Sequence, residues 1–316
     1  MRVLLTGCDG FIGGALREYL VGSGHEVTGT CFLRPPVRGE ISLDLTAIEQ
    51  FRRLPRRRFD AVVHAAGLVD QKAARKRLYA VNAEGTRNLS VWARRCGCPH
   101  FVYLSSVSVY GLKTIGQDRA ESTTRRSRGA PFVPYMGSKA RAERHIEAGG
   151  SGFTILRLPA VLGRLDSYLS PTIIRALLDG SFFFCGDGLR RVSLLYVRNL
   201  GPIVDGLLAA GPTGQAFNCC DAHVIWRSLV AEYARRLGVE LPRRRRSAIT
   251  LASHLADKHY LLLLTFSRFG SHFPDDALYA RFDHHHQFRW QEGVGEAVAA
   301  YLAAGRSQTE DSGGPG

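Results

Sequence analysis

The stretch Thr6-Gly7-Cys8-Asp9-Gly10-Phe11-Ile12-Gly13 decides how this chain folds. It follows a short apolar run at residues 3–5 and opens a segment, residues 11–21, whose apolar residues recur at helical spacing. Gly7 suits a tight turn out of the strand, Gly10 lets the backbone approach a ligand, and Gly13 lets helix and strand pack closely. A helix starting here presents free N–H groups and the positive end of its dipole, which favour an anionic group such as a pyrophosphate. Gly7, Gly10, Phe11, Ile12 and Gly13 therefore form a candidate phosphate cradle.

The alternation continues outward. Residues 25–32, 61–64, 101–104 and 153–156 are further strand-like runs, and 82–95 reads as a helix. Strands alternating with helices imply right-handed βαβ units and a parallel sheet covered on both faces. The expected fold is α/β, with a doubly wound parallel sheet over residues 1–165 and a smaller substrate-binding region, interleaved with the sheet, over 166–304. The polar, glycine-rich tail 305–316 reads as disordered. In the second region, 171–178, 226–237 and 295–302 read as helices, 192–197 as a strand, and the arginine run 243–246 as a solvated connection. Residues 249–282 carry no clear pattern.

With 316 residues, 45% of them hydrophobic and 22% charged, the chain can bury a substantial core. Its net charge of +14 comes mostly from arginines that are scattered and not interleaved with aromatics. That pattern suits a soluble basic surface and anionic small ligands, and argues against nucleic acid as a partner. No stretch approaches the ~20 apolar residues of a membrane span, and the opening MRVLLTG is too short an apolar run for a signal peptide. The seven cysteines include no CxxC pair and no zinc spacing, which fits reduced thiols in a cytoplasmic protein. Asp283-His284-His285-His286 is read as a turn, because consecutive histidines do not converge on one ion, and no metal is expected.

The cradle is expected to hold a dinucleotide. An acid at the end of the second strand would accept from a ribose 2′-hydroxyl, but that position falls near Cys31, and no acid follows until Glu40. Arg34 lies close by and could pair with a 2′-phosphate, so NADP is favoured over NAD. Asp44 and Leu45 are placed to meet the adenine edge, and Ala65, Ala66 and Gly67 supply the small residues needed where backbone packs against the cofactor.

A second constellation follows. Tyr135 and Lys139 stand one helical turn apart on one face. A free tyrosine has a pKa of about 10, and a neighbouring ammonium is expected to lower it toward the range useful for acid–base work. Ser105 and Ser106 end a strand at the carboxyl edge of the sheet, where a hydroxyl can orient a substrate oxygen.

Taken together, TGCDGFIG, VVHAAG at 62–67, Asn82 with Gly85-Thr86, LSSVSVYG and YMGSK resemble the extended short-chain dehydrogenase/reductases, the NAD-dependent epimerase/dehydratase family, in order and spacing over roughly residues 1–165. The resemblance implies a Rossmann fold with Tyr135 as general acid/base, Lys139 as its ribose-binding partner, and Ser106 rather than Ser105 as the catalytic hydroxyl. It further implies Asn82 in a proton relay, Leu158, Pro159 and Ala160 beside the nicotinamide, and a homodimer. Where nucleotide-sugar epimerases usually carry an arginine and an acid, this chain has Val192 and Asn199. The segment LLDGSFFFCGDGLRRVSLLYVRNLG is similar instead to the 3β-hydroxysteroid dehydrogenase-like branch, implying a secondary alcohol or ketone on a largely apolar small molecule. Tyr168, Phe182, Phe183 and Phe184 could help line its pocket, with plain core the favoured reading for each. A nucleotide-sugar epimerase, dehydratase or 4-ketoreductase, and a non-catalytic dinucleotide-binding protein, remain as alternative functions.

Overall fold

The computed structural model describes residues 1–55, 58–69, 73–111, 118–123, 134–243, 245–246, 258–281 and 287–311. Seven strands form one sheet: β1 (Arg2–Thr6), β2 (Glu26–Cys31), β3 (Glu40–Ser42), β4 (Ala61–His64), β5 (His100–Ser106), β6 (Phe153–Leu158) and, much later, β10 (Gln215–Asn218). Their order across the sheet is β10-β6-β5-β4-β1-β2-β3, and every pairing in it is parallel. The strand order reverses beside β1, which creates the crevice where ligands bind in open α/β sheets.

Each central strand is apolar on both faces, as a sheet covered twice requires. Val3 and Leu5 of β1, Ala61 and Val63 of β4, and Val102 and Leu104 of β5 face a core shared with α1 (Phe11–Gly22) and α6 (Val197–Ala210). The alternate residues Leu4, Val62, Phe101 and Tyr103 face a second core. That core is built with α3 (Thr86–Arg95) and α4 (Pro134–Glu147), contributing Leu89, Ala93, Ala142 and Ile146. Between α2 (Arg75–Tyr79) and α3 the helix widens into a π-helical turn at Ala80–Gly85. The residues read as the start of one regular helix thus belong to this wider turn, a local distortion common at functional sites.

After β6 the chain leaves the sheet. A three-stranded sheet, ordered β11-β9-β7, comprises β7 (Ala160–Leu162), β9 (Arg191–Tyr196) and β11 (Ala222–Ile225). It packs with α5 (Leu169–Leu178), α7 (Trp226–Leu237) and the first turns of α10 (Trp290–Asp311) around a third core containing Leu194, Trp226 and Tyr233. Phe182, Phe183 and Phe184 are fully or almost fully buried, so they are core rather than pocket wall.

Several local expectations change. Arg245–Arg246 forms the short strand β12, parallel to β8 (Phe184–Cys185), where a solvated connection is expected from the arginine run. The patternless stretch contains α8 (Lys258–Arg268) and α9 (Asp276–Tyr279). Helix α10 continues through Asp311, so the first part of the glycine-rich tail is helical. Residues 283–286 lie outside the described residues, as do 312–316. Among the described residues no helix is long and apolar enough to cross a membrane, and no cluster of His, Cys, Asp and Glu is arranged to hold a metal ion.

Candidate active site

The glycine turn has the shape a pyrophosphate needs. Gly7 adopts φ +75°, and a side-chain carbon there would stand 2.8 Å from the Ala66 backbone. A side-chain carbon at Gly13 would stand 2.0 Å from the Gly7 carbonyl oxygen, so only glycine lets α1 start this close to β1. Gly10 is the N-cap of α1 and offers no side-chain cap, and no acid occupies the first turn. The N–H groups at the head of the helix are therefore uncapped by any side chain and face no competing carboxylate in that turn. Phe11 and Ile12 contribute backbone here, while their side chains pack against Gly163 and the first core.

The turn is braced from below. Neutral His64 bridges Thr6 Oγ1 at 2.7 Å and Thr86 Oγ1 at 2.8 Å, and Thr86 donates to the Asn82 carbonyl at 2.7 Å. Burial and the Lys139 ammonium push the His64 pKa down to about 3, so the ring stays uncharged. Ala65 and Ala66 line the turn, with the Ala66 N–H donating to Thr6 Oγ1 at 3.2 Å. Asp44 spends one carboxylate oxygen on the Thr46 N–H and hydroxyl, both at 2.8 Å, and Leu45 turns into the second core.

Ser106, Tyr135, Lys139 and Asn82 converge beside this crevice. Asn82 Oδ1 accepts from the Leu68 N–H at 2.7 Å, and its amide donates to the Leu68 carbonyl at 2.9 Å and to Ser138 Oγ at 3.1 Å. Asn82 thereby fastens the chain after Gly67 to the helix bearing Tyr135 and Lys139. Lys139 Nζ donates to the Leu104 carbonyl at 2.8 Å and lies 4.8 Å from the Tyr103 ring centre. A side-chain carbon on exposed Gly67 would stand 3.4 Å from that ammonium and from Asn82 Oδ1, so the chain after β4 lies directly against Lys139. The hydroxyl of Ser106 hydrogen-bonds the phenol of Tyr135, and Tyr168 is near enough to influence the same phenol.

The electrostatics depart from the sequence-based expectation. The Tyr135 pKa is not lowered by Lys139; burial pushes it up to about 12 against the opposing hydrogen bond of Ser106. Lys139 is not among the groups that move it; burial brings the lysine's own pKa down to about 8, and its ammonium donates to the Leu104 carbonyl. Behind it, Glu143 raises the lysine's pKa, pairs with Arg157 at 2.9 Å and accepts from Ser105 at 2.6 Å. Arg157 also donates to Tyr110, whose hydroxyl donates to Asn218 at 2.6 Å. Leu158 is buried in the first core, and Pro159 and Ala160 are half-buried where β6 gives way to β7.

Arg34 sits past the end of β2, but it is not a bare cation. Its guanidinium forms a two-pronged pair with Glu40, at 2.7 and 2.8 Å. In the glycine turn, Asp9 accepts from the Phe32 N–H at 2.6 Å and from the Leu33 N–H, fixing the loop that carries Arg34. In sequence Glu40 stands nine residues beyond Cys31 and belongs to the next strand. The parallel register that sets Glu40 beside Gly29 brings it back to β2. Val192 is buried and Asn199 is bound to Asp221 and to the backbone of Phe288, while Arg191 is exposed.

Residues 3–220 match the NAD dependent epimerase/dehydratase family, and the chain belongs to it. A 2-alkyl-3-oxoalkanoate reductase of Stenotrophomonas maltophilia (strain K279a) is 26% identical over 217 residues, 63% of this chain and 62% of that protein. A 3-beta-hydroxysteroid dehydrogenase of Mycolicibacterium neoaurum is 28% identical over 63% of this chain and 58% of that protein. The chain thus spans less than two thirds of the length of these curated relatives. Its fold is shared with Bordetella bronchiseptica WbmH, solved in complex with NAD+, at TM-score 0.76 and 20% identity over 95% of this chain and 98% of that one.

Proposed function

We propose that this chain is an NAD(P)-dependent oxidoreductase that interconverts a secondary alcohol and a ketone on a largely apolar small molecule. The observation that carries this reading is the convergence of Ser106, Tyr135, Lys139 and Asn82 on the crevice headed by the Gly7–Gly13 turn. The turn and the open N-terminus of α1 fit a dinucleotide. When bound, the nicotinamide supplies or accepts the hydride at the substrate carbon.

The protein's own residues handle orientation and the proton. Ser106 donates to the substrate oxygen, and Tyr135 delivers a proton to it in reduction or removes one in oxidation. With its pKa pushed up to about 12 the phenol is protonated at neutral pH and can donate, but it is a weak acid until a cation comes closer. Lys139 would bind the ribose and, once turned from the Leu104 carbonyl toward that cleft, favour the phenolate. Asn82 holds Leu68 and Ser138 so that this geometry persists. The relatives named as a reductase and a hydroxysteroid dehydrogenase support the substrate class, as does Val192 at the place where nucleotide-sugar epimerases usually carry an arginine.

The test is dinucleotide-dependent turnover of a panel of apolar ketones and alcohols, with Tyr135→Phe as the control. The expected result is stoichiometric consumption of NADH or NADPH, lost in Tyr135→Phe while dinucleotide binding survives. Retained activity in Tyr135→Phe would reject the assigned acid/base. Tightly held cofactor with no net consumption, and inversion of a sugar carbinol, would favour the epimerase alternative.

A further inference from the structure

The charges around Arg34 bear on which dinucleotide enters, given the dinucleotide site proposed above. Glu40 is held by two cations: Arg34 on both oxygens, and Arg17, whose Nε lies 3.7 Å from Oε1. The Val37 N–H adds a bond to Oε2 at 3.2 Å. The Glu40 side chain is wholly shielded from solvent whereas Arg34 remains 40% exposed, so the acid is the fixed member of the pair. Asp9 adds a second negative charge within electrostatic range of Arg34. Among these four side chains the charges of Arg17 and Arg34 are matched by those of Glu40 and Asp9.

We infer that Glu40 selects the dinucleotide, by competing with a 2′-phosphate for Arg34. A phosphate entering here must displace a two-pronged carboxylate already in place, and that carboxylate stays close by, held by Arg17, as a like charge. A ribose 2′-hydroxyl meets no such penalty and can donate to an acid. The wild-type protein therefore binds NAD at least as tightly as NADP, the reverse of what Arg34 alone suggests from sequence. The Glu40 charge, rather than the absence of an arginine, sets that preference.

Calorimetric titration with NAD+ and with NADP+ tests this on the wild-type chain, on Glu40→Gln and on Glu40→Gln combined with Arg34→Ala. The expected results are a wild-type NADP+ affinity no greater than that for NAD+, and a gain of about tenfold for NADP+ in Glu40→Gln with NAD+ changed by less than about threefold. Adding Arg34→Ala should cancel the gain. An unchanged NADP+/NAD+ ratio in Glu40→Gln overturns the inference. A wild-type protein that already prefers NADP+ tenfold overturns it too, and that comparison needs no variant if Glu40→Gln fails to fold. Failure of the wild type to bind either dinucleotide would instead remove the dinucleotide site, and the inference with it.

Discussion

Ser105 and Ser106 are adjacent in β5 yet serve different partners. Ser105 donates its hydroxyl to the buried Glu143 carboxylate at 2.6 Å, while Ser106 engages the phenol of Tyr135. Under the proposed function, the pair separates a structural role from a chemical one within two residues. Ser105→Ala should cost about 1–3 kcal/mol of stability, as expected for a bond to a buried carboxylate, and leave turnover within a few-fold. Ser106→Ala should do the converse, losing turnover by about 100-fold with little change in melting temperature. Denaturant titration and steady-state kinetics on both variants check the assignment, and equal loss of turnover in the two would undo it.

The Lys139 ammonium is desolvated to a pKa of about 8 and held up by Glu143. If ribose binding needs the charged form, turnover should decline as the pH rises through about 8. Glu143→Gln removes the support, so the alkaline limb should move to lower pH. A pH–rate profile whose alkaline limb stays fixed in Glu143→Gln would separate Lys139 from that limb.

Gly13→Ala tests the cradle directly. Its new carbon would fall 2.0 Å from the Gly7 carbonyl oxygen, which forces α1 away from β1. Dinucleotide affinity should drop by at least about tenfold, with a stability loss of about 1–3 kcal/mol from overpacking. Calorimetry showing native affinity in this variant would mean that the turn is not the pyrophosphate site.

Asp221 gives a prediction away from the crevice. Its Oδ2 accepts from the Tyr196 N–H at 2.7 Å and from Asn199 at 2.6 Å, while Oδ1 is buried with no hydrogen-bond partner among the described residues. Burial raises its pKa from the ordinary 3.8 to about 7. The folded protein then holds a proton that the unfolded chain releases, so stability is full below the ordinary value and is lost as pH rises toward 7. Asp221→Asn should remove that loss, gaining about 1–3 kcal/mol at pH 8 and little at pH 4. Melting curves of equal pH dependence in both proteins would contradict this.

The sheet, the glycine turn and the Tyr135–Lys139 spacing were legible because each rests on local chemistry, whereas Ser106 and Asn82 were singled out through the family resemblance. Period and punctuation mark β1, α1 and β4, and the i, i+4 spacing of Tyr135 and Lys139 needs only a helix. What escaped the sequence depends on register and burial. Glu40 reaches Arg34 only because β3 pairs beside β2. Tyr135 becomes less acidic, not more, because burial outweighs the hydrogen bond from Ser106. The arginine run gave no hint of β12, since pairing with Phe184–Cys185 is a tertiary event.

The late arrival of β10 has an architectural consequence. The chain departs after β6, builds the strands and helices that surround Trp226 only in part, and returns to pair β10 with β6 before completing them. Helix α6, inserted on that excursion, also covers one face of the sheet through Leu200, Ile203 and Val204. A fragment ending at residue 165 would therefore bare both a strand edge and an apolar face, a combination that promotes self-association. Because each half finishes the other, heat should melt them as one cooperative unit.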